Sequence, residues 1–93
     1  MDEKYHVYIL YSFTTDSYYV GHTNDVNRRL EEHNDPLANH GKYCVKNGPW
    51  ILKYYESDFV TRADAMKREK QIKAWKSKRM IEKLINGQSQ MHQ

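Results

Sequence analysis

The chain alternates between short runs of β-branched and aromatic residues and longer stretches in which apolar residues recur every three or four positions. Tyr5 to Ser12 (YHVYILYS) is the first run, and after the turn-forming TTDS the segment Tyr18 to Gly21 (YYVG) repeats its character. Two such runs a few residues apart predict antiparallel strands joined by a short loop. Thr23 and Asn24 then offer N-caps to a helix over about Asp25 to His33, with Val26, Leu30 and His33 at helical spacing. Trp50 to Tyr55 (WILKYY) predicts a third strand, closed by Glu56, Ser57 and Asp58.

Two further helices follow. Thr61, with Asp64 three residues on, makes a variant capping box for a helix from Arg62 to about Trp75, whose core face is expected to carry Ala65, Met66, Ile72 and Trp75. Ser77 can cap another in which Met80, Ile81, Leu84 and Ile85 form an apolar stripe ended by Asn86-Gly87. Lys76 and Ser77 either break the two or lie inside one long helix. The segment Asn34 to Pro49 holds both prolines and reads as an irregular connection, long enough to suggest a loop that contacts substrate. With no repeat and no linker, the expectation is one domain over residues 1–87 with a polar, frayed tail over 88–93. Its class is α/β (α+β), a small three-stranded antiparallel sheet flanked by helices in the order β-β-α-β-α-α.

Composition narrows the function classes. Eight Tyr and two Trp, with 39% hydrophobic and 29% charged residues, exclude an intrinsically disordered chain. A single cysteine, Cys44, excludes an intrachain disulfide and a cysteine-rich zinc site and reads as a spectator thiol. No stretch has the apolar length of a membrane span and the first residues lack the pattern of a signal peptide, so a cytoplasmic location without membrane partners is expected. Signatures of serine hydrolases, P-loop NTPases and dinucleotide enzymes are absent. Charge is more informative by position than in sum. Between Arg62 and Lys83 nine Lys or Arg face three acids, a net +6 in a chain whose total is +3. A basic C-terminal third beside an acidic remainder suits a face that meets a polyanion, although a well-solvated lysine-rich helix has the same composition.

Several residues could carry chemistry. Glu69 falls within the apolar stripe of its helix, four residues from Ala65 and three from Ile72, where an unpaired carboxylate is costly. It is either a ligand for a hard divalent cation, a salt-bridge partner of Lys73, or an edge position that reaches solvent. Arg29 and His33, four apart, share a side of the first helix, and Arg28 is an equal candidate for presenting a guanidinium fork to phosphate. Tyr8 and Tyr19 stand close in the hairpin, where tyrosines most often serve packing.

In combination these residues resemble the GIY-YIG family. His6-Val7-Tyr8 stands where the family's first tripeptide would be and Tyr19-Val20-Gly21 where the second would be, with His6 replacing the first glycine. Arg29-Leu30 matches the family's helical arginine and Glu69 its metal-binding glutamate, while His33 matches a histidine that recurs one turn after the arginine in related nucleases. YYVGHT, RRLEEHN, PWILKYYE and REKQIKAWK look like small stand-alone bacterial members related to the nuclease domain of the UvrC repair protein. The resemblance implies a metal-dependent endonuclease of DNA repair or processing, using Mg²⁺ or Mn²⁺ at Glu69, with Tyr8, Tyr19, Arg29 and His33 catalytic. A tyrosine acting as base needs its pKa lowered by the cation or by Arg29. His22 is placed to carry protons and, with Arg28, Lys70, Lys73 and Lys76, to contact nucleic acid, DNA being expected over RNA. A partner protein supplying specificity is also expected. The competing readings are a binding module that keeps the fold without cutting, and a protein-interaction adaptor anchored by exposed aromatics.

Overall fold

The computed structural model describes residues 4–35 and 48–90; most of the expected connection Asn34 to Pro49, including Cys44, lies outside them. Three strands, β1 (Tyr5–Ser12), β2 (Ser17–Thr23) and β3 (Trp50–Phe59), and three helices, α1 (Val26–Asn34), α2 (Arg62–Ala74) and α3 (Lys78–Gln90), follow in the order β-β-α-β-α-α. The strands form one antiparallel sheet ordered β2-β1-β3.

The central position of β1 follows from its sequence. Val7, Tyr8, Ile9 and Leu10 are all buried, and successive side chains of a strand point to opposite faces, so both faces of β1 must be covered. Val7 and Ile9 pack with Val20, Tyr54, Ala65 and Ile72 beneath α2 and α3. Tyr8 and Leu10 pack with Trp50, Val26 and Leu30 beneath α1. Register shifts between β1 and β3 turn Leu52 toward the α1 side and Tyr54 toward the α2 side. Asn34, the last residue of α1, accepts from the Trp50 backbone N–H at 2.7 Å and donates to its carbonyl at 2.9 Å, which fixes the end of α1 against the start of β3.

Element existence and order match the sequence expectation, while several boundaries differ for local reasons. α1 is capped by Asp25, whose carboxylate accepts from the Arg28 N–H; Thr23 instead braces the cap through the Asp25 N–H. β3 does not close at Glu56 to Asp58 but runs to Phe59, because Glu56 pairs with Val7 and finds a partner for its charge in Arg68. Met66, expected on the core face of α2, is 38% exposed, since the residues of α2 buried against the sheet are Ala65 and Ile72. The α2–α3 junction is a break: Lys76 takes φ 48 and the Ser77 hydroxyl accepts from the Met80 N–H. Asn86-Gly87 does not stop α3, which continues to Gln90; a single glycine inside a helix costs only about 1 kcal/mol.

Candidate active site

Tyr8 is the centre of a hydrogen-bonded set built from β1 and α1. Its hydroxyl accepts from Arg29 Nε at 3.4 Å and lies 3.1 Å from His33 Nε2. With Arg29 as the donor on one side, the phenol proton is directed to His33 on the other. The i, i+4 spacing of Arg29 and His33 brings both to one side of α1, and Tyr8 reaches up from the strand between them. Tyr19 completes the group from β2, its ring stacked with Tyr8 at 6.3 Å between centroids and edge-on to His33 at 4.6 Å.

This arrangement needs Gly21. Tyr8 and Gly21 are cross-strand partners, and the Tyr8 ring lies over the β2 backbone there. A Cβ on Gly21 would sit 2.5 Å from the Tyr8 hydroxyl oxygen, 2.7 Å from its ring carbon and 3.1 Å from Tyr19. The last residue of the YVG triplet is thus an absence of side chain that makes room for the tyrosine of the first.

Electrostatics assign protonation states. Burial pushes the Tyr8 phenol up to about 12, more than the hydrogen bond from Arg29 can offset, so Arg29 by itself does not supply the lowering that a base role requires. Burial by itself would lower the Arg29 pKa, but hydrogen bonds to Tyr8 and Glu32 outweigh it, and the guanidinium remains charged.

Glu69 lies in the other helix layer. Its Oε1 is 2.5 Å from His22 Nδ1 and its Oε2 2.5 Å from Lys73 Nζ, with the carboxylate side chain 15% exposed. The salt bridge to Lys73 foreseen from the sequence is therefore present. Burial raises the Glu69 pKa, the bonds from Lys73 and His22 outweigh it, and the carboxyl ends below its ordinary value, ionised at neutral pH. Arg62 Nη1 donates to His22 Nε2 at 3.3 Å, which puts the imidazole proton on Nδ1, facing Glu69. The two layers are coupled: the Glu69 charge is close enough to oppose ionisation of Tyr8.

Between the layers opens a cleft of about 310 Å³ lined by His22, Thr23, Asn24, Arg28, Arg29 and Arg62. Among the described residues three guanidiniums and no carboxylate line it, which suits an anion of phosphate size. Arg28, Arg29 and His22 were each legible as candidates in the sequence, and the fold brings them together. Arg62 stood there only as part of a basic segment; its position just after a helix cap was legible, but its reach across to β2 was not. Lys70, Lys73 and Lys76 are exposed on α2 and its end, and Lys73 and Lys76 border a second groove beside Tyr19.

Comparison with known proteins gives this arrangement its context. A model of the GIY-YIG catalytic domain matches residues 4–84. A UPF0213 protein of Halobacterium salinarum is 39% identical over 69 residues, covering 74% of this chain and 84% of that protein. The solution structure of a UPF0213 protein from Bacillus halodurans, 32% identical, matches with a TM-score of 0.54 over 89% of this chain and 83% of that one. A structure-specific endonuclease subunit SLX1 homologue of Giardia intestinalis is 33% identical over 51 residues, which are 55% of this chain but 14% of that protein. With most of its length under one domain model, the chain belongs to the GIY-YIG family.

Proposed function

We propose that this protein is a metal-dependent endonuclease hydrolysing nucleic-acid phosphodiester bonds, with Tyr8, Tyr19, Arg29, His33 and Glu69 as its catalytic residues. The observation that carries the reading is the Tyr8 hydroxyl bonded to both Arg29 and His33 beside a cleft lined by three arginines.

The donor set at Glu69 fits a hard cation of the Mg²⁺ or Mn²⁺ kind. Among the described residues no three His, Cys, Asp or Glu come together, so a cation at Glu69 would be held by that one carboxylate, by its own waters and by substrate phosphate. Glu69 is ionised and its partner Lys73 is half exposed, so the ammonium can swing away and free one carboxylate oxygen. When bound, such a cation supplies charge neutralisation at the scissile phosphate and its leaving oxygen. Arg29 stabilises charge developing on the phosphoryl oxygens. Tyr8, neutral at physiological pH, holds the geometry through its hydroxyl, and any proton it gives up passes along its hydrogen bond to His33. Tyr19, part of which stays exposed, orients the attacking water. His22 and Arg28 hold the substrate backbone within the cleft, and Lys70, Lys73 and Lys76 extend that hold along the strand.

A second reading, a binding module without cleavage, draws on the fact that both Glu69 oxygens already have partners. One experiment separates the two. Wild type, Glu69→Gln and Arg29→Ala are assayed with Mg²⁺ or Mn²⁺ on single-stranded, duplex and branched DNA and RNA, DNA being the expected polymer. Both variants should fold and bind nucleic acid yet lose cleavage by about two orders of magnitude or more. Activity surviving in Glu69→Gln removes the metal-ligand assignment, and a wild type inactive on every substrate leaves the binding module.

A further inference from the structure

His6, the residue that replaces the first glycine of the family triplet, is used for something. Its Nδ1 lies 2.9 Å from the Ser57 hydroxyl, and its ring meets the Tyr55 ring edge-on at 6.5 Å between centroids. Tyr55 is 48% exposed, a large aromatic left partly in water on a strand whose other tyrosine, Tyr54, is buried. It is the cross-strand partner of Tyr8, so Gly21, Tyr8 and Tyr55 form one row across the sheet on the α1 side. His6 and Tyr55 border a groove of about 350 Å³ that also takes in Leu52 and, from the start of α1, Asp25 and Asn27. Asn24 lines both this groove and the arginine cleft, so the two adjoin.

The mixture of surfaces is specific. The lining combines a flat aromatic ring, met edge-on by a second ring, with an aliphatic side chain and with amide and carboxylate side chains at the start of α1. The arginine cleft next door has the charge to suit an anion. We propose that the groove is a nucleobase site in which Tyr55 stacks on an unpaired base while the adjoining phosphate occupies the arginine cleft, making single-stranded or locally unpaired nucleic acid the preferred substrate. A base inside a duplex is already stacked on its neighbours and cannot enter such a groove. This inference rests on the nuclease reading for its substrate polymer, but its test is made on binding alone.

The full chain, in chelator so that no strand is cut, is titrated into oligonucleotides of equal length that are single-stranded, fully paired, or paired with one bulged 2-aminopurine. Tyr55→Leu should weaken binding of the single strand and of the bulge about tenfold or more and abolish quenching of the 2-aminopurine, with the paired duplex unchanged. Tyr55→Trp should retain affinity and quenching, which guards against a folding defect in the leucine variant. His6→Gly, which frees the Tyr55 ring, should give a smaller loss with the same selectivity. Equal losses on paired and unpaired substrates, or no loss on either, overturn the nucleobase site. A wild type that binds unpaired strands selectively but cleaves nothing refutes the nuclease reading and leaves this one standing. Cleavage whose selectivity survives in Tyr55→Leu does the reverse.

Discussion

At Gly21 a single hydrogen in place of a methyl group decides whether Tyr8 can lie across the neighbouring strand. Gly21→Ala puts a Cβ well inside the contact distance of the Tyr8 ring, and the clash falls on the rigid, buried part of that side chain. Overpacking of this kind costs about 1–3 kcal/mol. The variant should show that loss in denaturant unfolding and, since Tyr8 must move off Arg29 and His33, a fall in cleavage larger than its unfolded fraction explains. Unchanged stability would mean that Tyr8 occupies another rotamer in solution. The placement of the candidate side chains was legible at this scale: that Arg29 and His33 share a side of α1 and that Glu69 falls on the apolar stripe of α2 follow from helical spacing. The Tyr8 protonation state was not, because it depends on burial, which no local pattern reports. Nor was the role of Gly21, since the atom it must avoid comes from another strand.

The contact between β3 and α2 shows how elements are held in place around the site. Arg68 grips Glu56 with two nitrogens, Nε at 2.9 Å and Nη2 at 2.8 Å, and the Tyr54 hydroxyl donates to the same carboxylate at 2.6 Å. Burial raises the Glu56 pKa, yet the bonds from Arg68 and Tyr54 prevail and it ends below its ordinary value. A carboxyl lowered in the folded state contributes stability that is present above its unfolded pKa and lost as pH falls through the folded one. Wild type should therefore lose stability on acidification below about pH 4.5 more steeply than Arg68→Met. That variant should be less stable by about 2 kcal/mol near neutrality and nearly equal to wild type once Glu56 is protonated. Denaturant midpoints across this range check it; parallel curves would show that the pair contributes nothing. The sequence placed the end of β3 too early because Glu56, Ser57 and Asp58 look like a turn. A polar residue extends a strand when its charge is met by another element, which is a tertiary fact.

For the molecule as a whole, the question is which cations belong to chemistry and which to affinity. Lys73 is bonded to Glu69, so reversing it perturbs the site as well as the field. Lys70 and Lys76 are exposed and make the cleaner test. The double variant Lys70→Glu, Lys76→Glu should weaken nucleic-acid binding and reduce the slope of log affinity against log salt by up to about 2, roughly one for each phosphate that is no longer neutralised. An unchanged slope would confine binding to the arginine cleft. The basic segment was plain in the sequence. Its division into a helix start that faces the cleft, a lysine that holds the carboxylate and a far end in solvent required the fold.

The sheet has two margins and one interior strand, and the tyrosine at the heart of the site is on the interior one. An edge strand can fray by breaking one ladder, whereas exposing the peptide groups beside Tyr8 means detaching β1 from β2, from β3, or from both. Fluctuations at the margins thus leave the Tyr8 phenol on its strand. In a chain this small, moving Tyr8 off its strand position means opening the sheet around which both halves of the core are packed.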